Sequence, residues 1–236
     1  MTRARAGALL LLVCALAAAA WAIGRGGGSG TREDRPVLLL LTSLPLVFTE
    51  EFSLDQKGSP LLTALGSRYK VEPVDVTDPA TLARAKLMMI AQPHAQTAEN
   101  LVALDEWVRG GGRLLLFADP MLEWPSERAL GDPTRPPPMF ADTGLLAHWG
   151  LRLDAPDQRG AAKGRIGAHI VLTMSPGSLV GGCAIEAGGL AARCTIGKGK
   201  AVIVADADLL DLEGLGAGAS GNAPAVLAQL ESLESQ

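Results

Sequence analysis

The chain has 236 residues, of which 48% are hydrophobic and only 4% aromatic, with a formal net charge of −4. That length suits one α/β domain with a short leader, and the apolar share is enough for a sizeable core. Mild acidity without a basic stripe excludes the electrostatic footprint of a nucleic-acid binder, and no repeat at solenoid periods is present.

Arg3 and Arg5 precede an uncharged run from Ala6 to Ile23. As a helix rising ~1.5 Å per residue, the run spans ~27 Å and just reaches across a hydrocarbon core. Two readings fit residues 1–24: a membrane anchor, or a cleaved signal with Ala18, Ala19 and Ala20 as the small residues before the cut. The run extends past the usual apolar core of a signal, which favours the anchor. Residues 25–35 are Gly-rich and then charged, as in a flexible tether. A single α/β domain is expected over residues 36–233.

Pro36 opens the continuous apolar run Val37 to Leu41, the pattern of a strand buried on both faces of a parallel sheet. Ser59 and Pro60 start a short helix through Leu61, Leu62 and Leu65. Tyr69 to Val76 reads as a second strand, Leu82 lies on a short connecting helix, and Lys86 to Ala91 is a third strand. Thr97 is placed to cap a helix whose apolar stripe is Leu101, Leu104 and Val108. Gly110 to Gly112 stops that helix, and Arg113 to Ala118 follows as a fourth buried strand. Strand, helix, strand in this order implies a right-handed crossover. The fold class expected is therefore α/β: an open, mostly parallel sheet of flavodoxin-like or amidotransferase-like type, with helices on both faces.

Asp119 to Phe140 contains six prolines and is expected to hold no regular element. Loops of this length are usually functional or mobile. Trp124 within it is expected to be exposed and is a candidate partner contact. Thr143 to Trp149 reads as a short helix. A β-rich C-terminal portion follows: Arg165 to Met174, a hairpin around Gly188-Gly189, and Lys200 to Ala205. Asn222 is expected to cap a closing helix carrying Val226, Leu227 and Leu230. Cys183 and Cys194 flank the hairpin turn, and pairing about it sets them opposite each other. Facing Cα atoms in a ladder lie ~4.5–5.5 Å apart, within disulfide range. The alternative is two buried thiols beside Ile185 and Ile196.

Asp119 and Asp206 follow buried strands at their carboxyl ends, the edge where open parallel sheets form ligand crevices. With Asp208 they could hold a cation or hydrogen-bond a partner. The plainer reading is that all three cap local backbone and turns. No catalytic residue is assigned. A nucleophile of amidotransferase or hydrolase type would sit on the turn after Leu87 to Ala91, and that turn carries Gln92-Pro93-His94. His94, His148 and His169 lack ligand spacing, so neither metal nor cofactor is expected.

Two stretches together carry a resemblance: Ala103 to Pro120, with its Gly run, apolar strand and Asp-Pro, and Gly197 to Leu210, with its Gly-Lys-Gly-Lys start and Asp-Ala-Asp. In this order they resemble the auxiliary exported domain of gliding-motility-type ABC transporter systems. That domain has a class I glutamine amidotransferase-like fold without the amidotransferase chemistry. The resemblance covers most of Pro36 to Leu210 and implies a non-enzymatic accessory protein, partnered by an ABC permease or ATPase or an envelope complex. It also implies a bacterial inner-membrane location, with the domain in the periplasm behind a single N-terminal anchor; signal cleavage would leave a secreted periplasmic protein instead. Family members often carry a second membrane segment after the domain, and no long apolar run follows Leu210 here. The competing functional expectation is an exported small-molecule or glycan binder using the crevice near Asp119 and Asp206.

Overall fold

Runs of consecutive apolar residues are stable only where both faces of a strand are covered, and here they form the middle of a sheet. The computed structural model describes residues 35–48, 58–129 and 131–235. In chain order the strands are β1 (Val37–Thr42), β2 (Lys70–Pro73), β3 (Leu87–Ala91), β4 (Arg113–Phe117), β5 (Leu151–Asp154), β6 (Ala161–Ile166), β7 (His169–Met174), β8 (Ser178–Gly181), β9 (Ala184–Ile185), β10 (Ala191–Ile196) and β11 (Gly199–Val204). The helices are α1 (Pro60–Arg68), α2 (Pro79–Leu82), α3 (Ala98–Arg109), α4 (Leu145–His148) and α5 (Asn222–Glu234). The main sheet has seven strands in the order β2-β1-β3-β4-β11-β10-β9. The first five run parallel, and β10 and β9 extend the edge in antiparallel fashion.

Alternate residues of each central strand serve opposite layers. Leu38, Leu40, Met89, Leu115, Val202 and Val204 pack beneath α1 and α5, against Leu61, Leu65, Val226 and Leu230. Leu39, Leu41, Met88, Leu114, Leu116 and Ile203 face α2 and α3, against Leu82, Leu104 and Val108. The helix starts follow from local chemistry. The Ser59 hydroxyl accepts from Leu62 N–H, Pro60 opens the first turn of α1, and the Asp78 and Thr97 side chains cap α2 and α3. At Gly199 a Cβ would lie 1.8 Å from the Val108 carbonyl oxygen, so only glycine lets β11 start against the end of α3.

The C-terminal portion departs from the expected strands. Arg165 to Met174, expected as one strand, is parts of two: β6 and β7 form a hairpin in which Ile166 pairs with His169 across Gly167-Ala168. The cause is Gly167, whose φ of 59° supplies the left-handed turn that breaks the run. The short strands β5 and β8 pair antiparallel with each other in a separate ribbon. Asn222 is not the helix cap. Gly221 stands at that position, and Asn222 lies buried in the first turn of α5, where it spans two other elements. The expected anchor and all of the tether except Arg35 lie outside the described residues. Among the described residues, no helix is long and apolar enough to cross a membrane.

Candidate functional site

Because β4 and β11 are parallel neighbours paired at Phe117 and Val204, the residues that follow them leave the same edge of the sheet side by side. Ala118 N–H still bonds the Val204 carbonyl at 2.8 Å, and the next residues are Asp119 and Asp206. Asp119, Asp206 and Asp208 each bring a carboxylate oxygen within 4.8 Å of the others, and all three are buried.

Their hydrogen bonds divide between turn closure and loop attachment. Asp119 Oδ2 accepts from Ala207 N–H at 2.8 Å and Asp208 N–H at 3.3 Å, and its Oδ1 accepts from Met121 N–H at 2.7 Å. Asp206 Oδ1 accepts from Leu209 N–H at 2.9 Å and from the Thr173 hydroxyl. Asp208 Oδ2 accepts from Glu123 N–H at 2.9 Å, which ties the Pro-rich loop to the end of β11. Asp206 Oδ2 is buried with no hydrogen-bond partner.

Burial pushes the Asp119 carboxyl above its ordinary range, although the N–H groups of Ala207, Met121 and Asp208 pull the other way. Burial drives Asp206 well above that range, and the neighbouring Asp119 charge adds to it. Asp208 is pushed up to about 7, again chiefly by burial.

The crevice expected near Asp119 and Asp206 is therefore a sealed polar knot, since the loop and the 3-10 turn Asp208–Leu210 close over it. An open recess lies elsewhere, about 650 Å³ in volume and lined by Lys163, Arg165, Ser178 and Gly188. Trp124 is also corrected. It is half-buried, packs against the core layer under α1 and α5, and lines a shallow recess with Pro45, Pro60 and Leu212. Among the described residues of the loop, the exposed large apolar side chain is Met139, at 64% exposure.

Two residues of the knot were not singled out as functional from the sequence. Gln92 sits on the turn after β3 with φ 42° and is fully buried. Its amide donates to the Asp119 carbonyl (3.2 Å) and the Pro137 carbonyl (3.0 Å), and its Oε1 accepts from Asp119 N–H at 2.9 Å. The turn where a nucleophile would stand is thus a clamp that holds both ends of the loop. Ser175, also at φ 42° and buried, donates its hydroxyl to Glu123 Oε1 and accepts from Gly160 N–H at 2.9 Å. The signal available for Gln92 was its position after a buried strand; nothing local marks Ser175.

At the far edge of the sheet Cys183 and Cys194 are joined in a disulfide with a Cα separation of 4.9 Å. They continue the ladder in which Ala184 faces Arg193. His94, His148 and His169 are not part of the carboxylate cluster.

A seven-stranded, mostly parallel sheet with helices on both faces and a closed carboxyl edge defines an α/β domain. Residues 35–161, more than half of the chain, match the auxiliary family described as ABC-type uncharacterized transport system, and the chain belongs to that family. None of the curated proteins matches the chain in sequence. Among solved structures, the cytoplasmic protein STM3548 from Salmonella typhimurium is similar at a TM-score of 0.55 and 12% identity, over 84% of this chain and 98% of that one. The N-terminal domain of mmIFT52 is similar at 0.51 and 14% identity, over 81% of this chain and 96% of that one. An exo-beta-1,4-mannosidase from Opitutaceae bacterium strain TAV5 shares 17% identity at a TM-score of 0.47; 84% of this chain is covered, but only 36% of the enzyme. This chain thus spans about a third of the glycosidase's length. At these identities the likenesses concern the fold alone.

Proposed function

We propose that the protein is a non-enzymatic accessory subunit of an ABC-type transport system, with an amidotransferase-like domain held at the membrane by residues 1–24. The carrying observation is membership of the auxiliary transport family over residues 35–161. The turn after β3 supports the non-enzymatic part. Its Gln92 side chain is consumed by three hydrogen bonds to the Pro-rich loop, and a carboxamide is not a nucleophile of the kind such turns present.

In this reading the domain stands in the periplasm and the Pro-rich loop over residues 119–140 meets the permease. The loop is fastened at its base: Phe140 N–H bonds the Asp119 carbonyl at 2.6 Å, and Leu122 N–H bonds the Pro138 carbonyl at 2.9 Å. Such fastening lowers the entropy cost of binding. Met139, rather than Trp124, is the side chain it offers to a partner.

Crosslinking followed by pull-down of the tagged full-length chain from native membranes tests this function. Recovery of an ABC permease or ATPase, reduced by Met139→Asp, is the expected result. A monomer found only in the soluble exported fraction would overturn it.

A further inference from the structure

Three buried carboxylates must be neutralised by something. Asp119, Asp206 and Asp208 are 0%, 0% and 3% exposed. No lysine, arginine or histidine among the described residues forms an ion pair with them. Backbone N–H groups and the Thr173 hydroxyl satisfy Asp119 and one oxygen of Asp206. Asp206 Oδ2 is left buried with no donor at all. A buried carboxylate oxygen without a partner costs several kcal/mol, and the cost is removed either by a proton or by a bound cation.

We infer that Asp119, Asp206 and Asp208 bind one oxygen-seeking divalent cation, with Ca²⁺ the best fit, on the orphaned Asp206 Oδ2 and its two neighbours. The donor set is all carboxylate oxygen, which selects hard cations over zinc or copper. One carboxylate oxygen from each of the three residues lies within 4.8 Å of the others, commensurate with one ion held at ~2.3–2.6 Å from each. The ion would supply positive charge where no described basic side chain forms an ion pair.

The position gives the ion a structural task. Asp119 begins the Pro-rich loop, and Asp208 holds the loop at Glu123 N–H. Asp206 reaches β7 through Thr173. One cation would therefore join the ends of β4 and β11 to the loop and to the β6–β7 hairpin. This inference does not depend on the proposed transport partner.

The test is calorimetric titration of Ca²⁺ and Mg²⁺ into the full-length chain after chelator treatment, with bound metal counted by mass spectrometry. One ion per chain is expected, with a rise in Tm of about 5–10 °C at a hundredfold excess over Kd. Asp208→Asn keeps an oxygen for Glu123 N–H and should lose the bound ion while retaining the native circular dichroism spectrum. Absence of binding at millimolar Ca²⁺ and Mg²⁺ by a folded chain would overturn the inference, and so would binding unchanged in Asp208→Asn. If Asp208→Asn does not fold, loss of the Tm rise in Asp119→Asn decides the matter in the same way.

Discussion

The centre of the main sheet and its far edge are secured by different means. From β1 to β11 the parallel strands are covered on both faces, and burial of Leu, Met, Ile and Val holds them. At the β9 edge and in the two small ribbons, many strand residues are exposed or only half-buried. There the structure relies on single ties: the Cys183–Cys194 disulfide, the Asn222 side chain, and the Arg193 guanidinium between Glu186 and Gln229. Hydrophobic burial is distributed over many contacts, whereas a polar or covalent tie concentrates its contribution in one group. The centre should respond to volume changes, and the edge to loss of a particular atom.

The largest expected effect lies at the centre. Leu115 is fully buried, and Leu115→Ala should destabilise by about 3–5 kcal/mol in urea denaturation, through lost transfer energy and the cavity left behind. A loss under about 1 kcal/mol would show that the sheet centre is not the mechanical core. Next comes the edge staple. Cys183→Ser with Cys194→Ser should cost about 3 kcal/mol, the value for a closed loop of this size; here the two cysteines are 11 apart in sequence. Dithiothreitol should reproduce that loss in the wild-type chain and leave the double variant unchanged.

Asn222 sharpens the contrast further. Its side chain accepts from Leu172 N–H at 3.0 Å and donates to the Leu172 and Leu209 carbonyls, each at 2.7 Å. Asn222→Ala would strand those buried groups at a cost of about 2 kcal/mol, visible in the same denaturation curves. Hydrogen exchange should quicken at Leu172 before it does in β3.

The smallest effect is electrostatic and lies on α3, at Asp105. Partial burial alone would raise the Asp105 pKa, but hydrogen bonds from Arg109 Nε and Trp149 Nε1, both 2.7 Å, outweigh it and hold the carboxyl below its ordinary range. A lowered folded-state pKa contributes stability that is present above the unfolded value and is lost as pH falls through the folded one. Asp105→Asn should therefore cost about 1 kcal/mol at neutral pH and flatten the acid limb of the stability curve below about pH 4. An unchanged acid limb in a pH series of thermal melts would remove Asp105 from the account.

How legible these regions were follows the same division. The runs Val37 to Leu41, Leu87 to Ala91 and Leu114 to Ala118 announce strands because nothing else accommodates apolar residues on both faces. The stops at Gly110 to Gly112 and the caps at Ser59 and Thr97 are local chemistry, and they stand where local chemistry puts them. The β6–β7 hairpin was hidden because its strand β6, Ala-Ala-Lys-Gly-Arg-Ile, has little apolar alternation. Its pairing is set by β7 packing on α5 and by a turn at Gly167. Asn222 looked like a cap because Asn in front of an apolar stripe usually is one; a neighbouring carbonyl and N–H on β7 claimed its side chain instead.

By itself the sequence determined the parallel core, its helix boundaries, the Pro-rich interruption and the absence of a thiol or hydroxyl on the turn after β3. Each is written in adjacent residues, as periodicity, capping or composition. Only the tertiary structure decided that Asp119, Asp206 and Asp208 share one sealed knot, that Gln92 clamps both ends of the loop, and that Trp124 turns inward while Met139 faces out. Those arrangements join residues up to 89 positions apart. They depend on which strands become neighbours, and neighbours in a sheet are chosen by the packing of the whole domain.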